Sequence, residues 1–200
     1  MQLISETLEQ AIEQLARLPG MGRKSAQRIA MHLLKVDNEQ VFLLAEALNH
    51  LKTRIQTCST CYNITDEDPC PVCASEKRET GLVCIVEEPK DVYTIERTRE
   101  FTGRYHVLGG VISPMQNIGP NDIRIQELIQ RIHGNEGIRE LILALNPDAE
   151  GEATGYYINK LVSPLGIKVT RIAHGIPMGT DLEFIDDATL TRAFAGRQAF

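Results

Sequence analysis

Three sets of residues have the types and spacing to do chemistry. The first is Cys58-x-x-Cys61, eight residues, then Cys70-x-x-Cys73. Two such knuckles wrap four thiolates around tetrahedral zinc, and with no coordination position left open the ion is structural, one per chain. An iron–sulfur cluster would use the same four thiolates, and disulfides fit a reducing compartment poorly. The second set is acidic. Glu87 and Glu88 precede Asp91, and Asn146-Pro147-Asp148-Ala149-Glu150-Gly151-Glu152 follows later in the chain. Converging carboxylates of this kind hold a hard divalent cation such as Mg²⁺. The third set is basic: Arg17, Arg23, Lys24, Arg28 and Lys35, with no acid between residues 17 and 35. Gly20 and Gly22 sit among them, where missing Cβ atoms let backbone N–H groups approach a phosphate at the start of a helix. Contacts of that sort carry no base information, so binding is expected to be sequence-independent and salt-sensitive. Gly22-Arg23-Lys24-Ser25 is not a P-loop, which needs Gly directly before the Lys and a strand before the loop.

The elements that must position these residues follow from periodicity. Ile4, Leu8, Ile12, Leu15 and Leu18 recur every three or four residues, the spacing of one helix face. Leu18-Pro19-Gly20-Met21-Gly22 breaks that helix. A second is expected with Ala26, Ile29, Ala30, Leu33 and Leu34 inward, and a third through Val41, Leu44, Leu48, Leu51 and Ile55. Residues 57–80 lose all periodicity and carry Pro69 and Pro71, the composition of a loop-rich metal module that folds by binding its ion. Lys52, Arg54, Lys77 and Arg78 flank it, where they could touch DNA, and read first as solvated charges. From Gly81 the texture changes to LVCIVE, PKDVYTIERT, YHVLGG, NDIRIQELIQRIH, RELILALN, EGEATGYYINKLV and IKVTRI, a β-α-β-α-β-α-β order. Strands separated by helices imply a parallel sheet covered on both faces, with both acidic segments at the carboxyl edge of the strands. Cys84 lies mid-strand and reads as a small core residue, and Tyr156 and Tyr157 as packing residues. The five histidines, at 32, 50, 106, 133 and 174, are scattered and none reads as catalytic.

Composition sets outer limits. The chain has 200 residues and a net charge of −6, so any contact with an acidic polymer must come from a local patch. Its longest apolar runs, Leu82 to Val86 and Leu141 to Leu145 among them, are far short of the roughly 20 residues of a bilayer span. The first ten residues carry two glutamates and no basic segment before an apolar stretch, so a signal peptide is not expected and a cytoplasmic location is.

Leu15-x-x-Leu18-Pro19-Gly20-Met21-Gly22-x-x-x-Ala26-x-x-Ile29 resembles a helix-hairpin-helix motif, with Ala26 small where two helices pack closely. The acidic segments resemble those of the Toprim domain of topoisomerases, primases and nucleases. There a glutamate and an Asp-x-Asp hold Mg²⁺; Glu87 and Asp148 match, whereas Asn146 replaces the first aspartate. That exchange removes a charge, so any Mg²⁺ binding is expected to be weak and the acidic cluster a docking surface for a basic partner. The ordered strings LPGMGRKSAQR, CSTC…CPVC, VEEPKDV, NPDAEGEAT and HGIPMGTDLEF resemble the RecR family of bacterial recombination mediators over essentially the whole chain.

The resemblance implies an α+β multi-domain chain: a helix-hairpin-helix domain (1–56), a four-cysteine zinc finger (57–80), a Toprim domain with a parallel sheet (81–175) and a helical oligomerisation tail (176–200). It implies a non-enzymatic, nucleoid-associated DNA clamp and adaptor in DNA damage repair and recombination. Such a protein acts with RecO, and with RecF, to help RecA displace single-strand binding protein on single-stranded or gapped DNA. DNA would be held by Gly20, Gly22, Arg23, Lys24 and Arg28. Glu87, Asp91, Asn146, Asp148, Glu150 and Glu152 would form a partner-binding or vestigial Mg²⁺ site, with Glu150 and Glu152 in the region that meets RecO. Subunits would form a dimer or ring tetramer through N- and C-terminal segments. The tail matches a segment sometimes called Walker B-like, but without a Walker A loop it does not imply ATP hydrolysis. The rival readings are a Mg²⁺-dependent Toprim nuclease or primase-like enzyme, and a zinc-dependent interaction module that never touches DNA.

Overall fold

Helical spacing at the N-terminus closes as α1 (Glu6–Ala16), α2 (Arg23–Leu33) and α3 (Asn38–Thr53). The computed structural model describes residues 5–134, 137–173 and 175–197. Ile4, His174 and residues 198–200 of the expected tail thus lie outside the described residues. Met1–Ile55 is one compact unit and Gln56–Phe200 a second. In the first, Ile12, Ala26 and Ala30 are buried together, with Leu8, Leu15, Ala16 and Met21 packed around them. Ala26 is fully buried, as a close α1–α2 approach requires. The inward reading of Leu34 is corrected: it falls one residue past the end of α2 and is 68% exposed. The apolar face expected for α3 is present as a helix stripe but not as core. None of its residues is buried, Leu44, Leu48 and Leu51 are exposed, and Phe42 beside them is 71% exposed.

The second unit begins with the cysteine-rich segment, a two-residue antiparallel pair, β1 (Gln56–Thr57) and β2 (Ile64–Thr65), followed by the single turn α4 (Pro71–Ala74). The predicted alternation is then present in full. It comprises β3 (Glu79–Val86), α5 (Pro89–Glu96), β4 (Gly103–Val107), α6 (Ile125–His133), β5 (Glu140–Leu143), α7 (Ala149–Val162) and β6 (Lys168–Arg171), with α8 (Asp187–Ala195) in the tail. The sheet runs β4-β3-β5-β6 with every pairing parallel. Central β3 explains the unbroken apolar run LVCIV, because it is covered on both sides. Val83 and Ile85 join Leu128 of α6 and Ile158 of α7 on one face. Cys84 and Val86 join Val92 of α5, Tyr105 and Val107 on the other, where Tyr62 and Val72 of the cysteine-rich segment also pack. Parallel strands send all their carboxyl ends to one edge, and both acidic segments begin there.

Candidate functional site

The basic hairpin is built by the α1–α2 turn. Gly20 adopts φ +75°, the left-handed region that favours glycine, and Gly22 is the extended N-cap of α2. The start of α2 has no side-chain cap and no acid in its first turn. Its outward N–H groups and positive helix end are therefore available to an anion. Lys24 and Arg28 are exposed on this helix and make no ion pair among the described residues. Arg23 differs: its guanidinium pairs with Glu9 of α1. Segregation of charge in the sequence could not show this, because Glu9 lies outside the acid-free window and reaches Arg23 only when the hairpin closes.

The four knuckle cysteines come together, buried, with all Sγ atoms within 4.8 Å of one another. Cys61 and Cys70 Sγ are 3.6 Å apart, close to the edge of about 3.8 Å of a tetrahedron with Zn–S bonds of about 2.3 Å. Burial would raise the Cys58 thiol, but N–H donation from Cys70, Cys61 and Thr60 outweighs it and brings it down to about 7. Burial pushes Cys70 up to about 11. The hydrogen bond to Cys73, then burial, raises Cys61 well above the ordinary thiol range. A dication would hold all four as thiolates, and the donor set fits structural zinc. Among the described residues these four form the only such group of three or more His, Cys, Asp or Glu side chains. Cys84 is buried in β3 as expected, its thiol pushed up to about 12 by burial.

At the acidic edge each carboxylate already has a protein partner. Asn146 donates its backbone N–H to Glu87 Oε1 at 2.5 Å and its side-chain amide to Oε2 at 2.8 Å. Burial, set against those bonds and joined by the charges of Asp148 and Asp91, keeps the Glu87 carboxyl above its ordinary value. Asp91 accepts the Glu88 N–H at 2.8 Å as half of a capping box at the start of α5. Asp148 is the N-cap of α7 and accepts the Gly151 N–H at 2.8 Å. Ser113 Oγ donates to Glu150, and Glu152 faces Arg171 at 3.2 Å and Arg192 at 3.9 Å. The structure thus brings the acids to one edge but not to one cation. Beside them a cleft of about 550 Å³ opens between α7 and the ends of β5 and β6, with Leu143, Asn146, Tyr156 and Arg171 among its walls.

Two expectations are corrected here. Tyr156 is 73% exposed on the cleft rim, because its α7 position turns away from the sheet, whereas Tyr157 does pack on the core. Arg78 is not a solvated charge. It grips Glu96 through both nitrogens, at 2.9 and 2.5 Å, and donates to the carbonyls of Phe101 and Gly103. Burial would raise the Glu96 carboxyl, but hydrogen bonds from Arg78 and Tyr105 hold it below its ordinary range. Sequence reasoning also missed Ser113, buried and 37 residues from Glu150, and the cluster of Tyr62, His106 and Arg124. Neither has a signal at short range, since each is made by the return of a loop.

The comparisons agree with this architecture segment by segment. Residues 8–52 match the family described as RecR, helix-hairpin-helix, and residues 55–75 the RecR zinc finger domain of four cysteines. Residues 81–173 match the Toprim domain and residues 175–198 the RecR, C-terminal family. Among curated proteins the chain is similar to recombination protein RecR of Chloroherpeton thalassium, 52% identical over 98% of each chain. It is 53% identical to that of Acidothermus cellulolyticus and 51% to that of Streptomyces coelicolor, over 96% of each chain in both cases.

Proposed function

The chain belongs to the RecR family of recombination proteins, and from that premise we propose that it is a non-enzymatic DNA clamp and adaptor that acts with RecO and RecF to load RecA onto single-stranded or gapped DNA. Recombination and repair is the family's field. One contrast carries the rest: the basic hairpin keeps an uncapped helix start with Lys24 and Arg28 unpaired among the described residues, while every carboxylate at the sheet edge is held by its own chain. Phosphates are attracted where charge is free, and phosphoryl transfer by a Mg²⁺-dependent nuclease or primase lacks converging acids that are free to take the ion. DNA contacts are assigned to Gly20, Gly22, Lys24 and Arg28, with Arg23 partly neutralised by Glu9. Glu87, Asp91, Asn146 and Asp148 are assigned to the scaffold of a vestigial Mg²⁺ site. Any Mg²⁺ held there would have to displace hydrogen bonds.

Glu150 and Glu152 are assigned to RecO, whose basic groups would compete with Arg171 and Arg192 for Glu152. Self-assembly into a dimer or ring tetramer is supported by two surfaces that one chain leaves uncovered. One is the apolar stripe of α3. The other is the tail, where Met178 is fully exposed and Phe184 is 73% exposed. We assign the four segments 1–56, 57–80, 81–175 and 176–200 to DNA binding, zinc, adaptor surface and assembly, in a cytoplasmic, nucleoid-associated protein.

The test uses end-labelled gapped DNA with Mg²⁺, on native and denaturing gels, with wild type and the Lys24→Glu, Arg28→Glu double variant. Retention of intact DNA by wild type, lost on charge reversal and strengthened by RecO, is the expected result. Strand cleavage would make the protein an enzyme. Unchanged retention by the double variant would move the DNA site elsewhere.

A further inference from the structure

The loop between β4 and α6 covers residues 109–123, long for a segment with only a 3₁₀ turn and the Ser113–Ile118 bridge of its own, and it is held in two places by different parts of the chain. A few residues into the loop, Ile112 N–H donates to Thr154 Oγ1 at 2.9 Å and Ser113 Oγ reaches Glu150. At the base, Arg124 N–H closes on the Leu108 carbonyl at 2.8 Å, and His106 Nε2 donates to the Arg124 carbonyl at 2.8 Å.

The same base is in contact with the cysteine knuckle. Val107 N–H donates to the carbonyl of Cys61 at 2.8 Å. Tyr62, the residue after that cysteine, packs in a T-shaped arrangement against His106 with centroids 5.4 Å apart, and the Arg124 guanidinium lies 4.6 Å over the Tyr62 ring. Tyr62 also adopts φ +64°, a left-handed backbone that costs a tyrosine free energy and persists only where its surroundings impose it. Those surroundings are the knuckle turn that carries Cys58 and Cys61, whose sulfurs fit one zinc ion, and that Tyr62 N–H closes on the Cys58 carbonyl at 3.0 Å.

We propose that metal occupancy of the four cysteines sets the conformation of the 109–123 loop, with Tyr62, His106 and Arg124 as the positioning residues that transmit it. A tetrahedral dication fixes the knuckle turn; the turn fixes Tyr62; the Tyr62 ring fixes Arg124, and with it the base of the loop. Loss of the ion frees Tyr62 to leave its left-handed backbone, which removes the surface on which Arg124 stacks and loosens the loop as far as Ser113, which holds Glu150. The inference deepens the adaptor reading in one respect, since Glu150 belongs to the proposed partner edge. The coupling itself involves neither DNA nor partner.

The test is hydrogen exchange of the full chain, with zinc content measured on every sample. It compares wild type before and after chelation with zinc-loaded Tyr62→Gly, Arg124→Met and Tyr62→Phe. None of these substitutions touches a cysteine, and Arg124→Met keeps both backbone hydrogen bonds. Expected are one zinc per chain throughout and exchange over 109–123 that rises at least about tenfold in Tyr62→Gly and Arg124→Met, towards that of chelated wild type. Peptides of β3 should be unchanged, and Tyr62→Phe, which keeps the ring, should match wild type. Loop exchange at the wild-type level in both zinc-loaded variants, or unaltered in wild type after chelation, overturns the coupling. Because the assay contains no nucleic acid and no partner, failure of the adaptor reading would leave this outcome untouched.

Discussion

At position 146 the choice between an amide and a carboxylate decides what Glu87 can do, because Asn146 donates to both of its oxygens. An aspartate there would turn one donor into a like charge beside a half-buried carboxylate. Asn146→Asp is therefore expected to destabilise the protein by about 1–3 kcal/mol at neutral pH, read as a lower urea midpoint in the presence of a chelator. Addition of Mg²⁺ should restore part of the loss, and so should acidification, since the Glu87 carboxyl already sits above its ordinary value. A midpoint indifferent to Mg²⁺ would remove this edge from consideration as even a vestigial cation site. The residue scale is also where legibility in the sequence divides. The cysteines declare themselves because their spacing is local and their chemistry narrow. Arg78 misleads because its partner Glu96 lies 18 residues on, across a helix, and nothing near Arg78 announces it.

Elements are readable wherever period and punctuation agree. The alternation of short apolar runs with amphipathic stretches after Gly81 implies a parallel sheet, and the sheet has that form. The start of α7 shows what spacing alone does not reveal. A Cβ added to Gly151 would lie 2.1 Å from the Asn146 carbonyl oxygen, so the helix can begin beneath that carbonyl only with glycine there. Gly151→Ala should cost about 2 kcal/mol or more in urea unfolding, whereas Gly175→Ala, with open space around its Cβ, should stay within about 0.5 kcal/mol. Equal costs would show that the α7 start can shift to make room. For α3 the periodicity gave the helix but not its burial, because pattern cannot tell a face turned to its own core from one left exposed.

For the whole molecule, charge and burial together set a dependence on pH. Burial lowers His106 from an ordinary value near 6.5 to about 4, against the hydrogen bond to the Arg124 carbonyl, with Arg131 and Arg124 adding to the effect. Between those two values the unfolded chain binds the proton and the folded one does not. Stability is therefore full above about pH 6.5 and falls with acidification towards pH 4, by up to about 1.4 kcal/mol per unit. His106→Gln should flatten that slope between pH 6.5 and 5 in urea unfolding at constant zinc content. Parallel profiles would assign the loss to other groups. The division of the chain carries a further consequence. Tyr62 and Val72 pack on the β4 face, and the Cys61 carbonyl accepts from Val107, so the cysteine knuckles and the sheet form a single piece of protein. A designer who transplanted the knuckles alone would carry off half of an interface and leave a bare strand behind. The segment that can change hosts is the zinc site together with its sheet, and the cut for a chimera falls between Ile55 and Gln56.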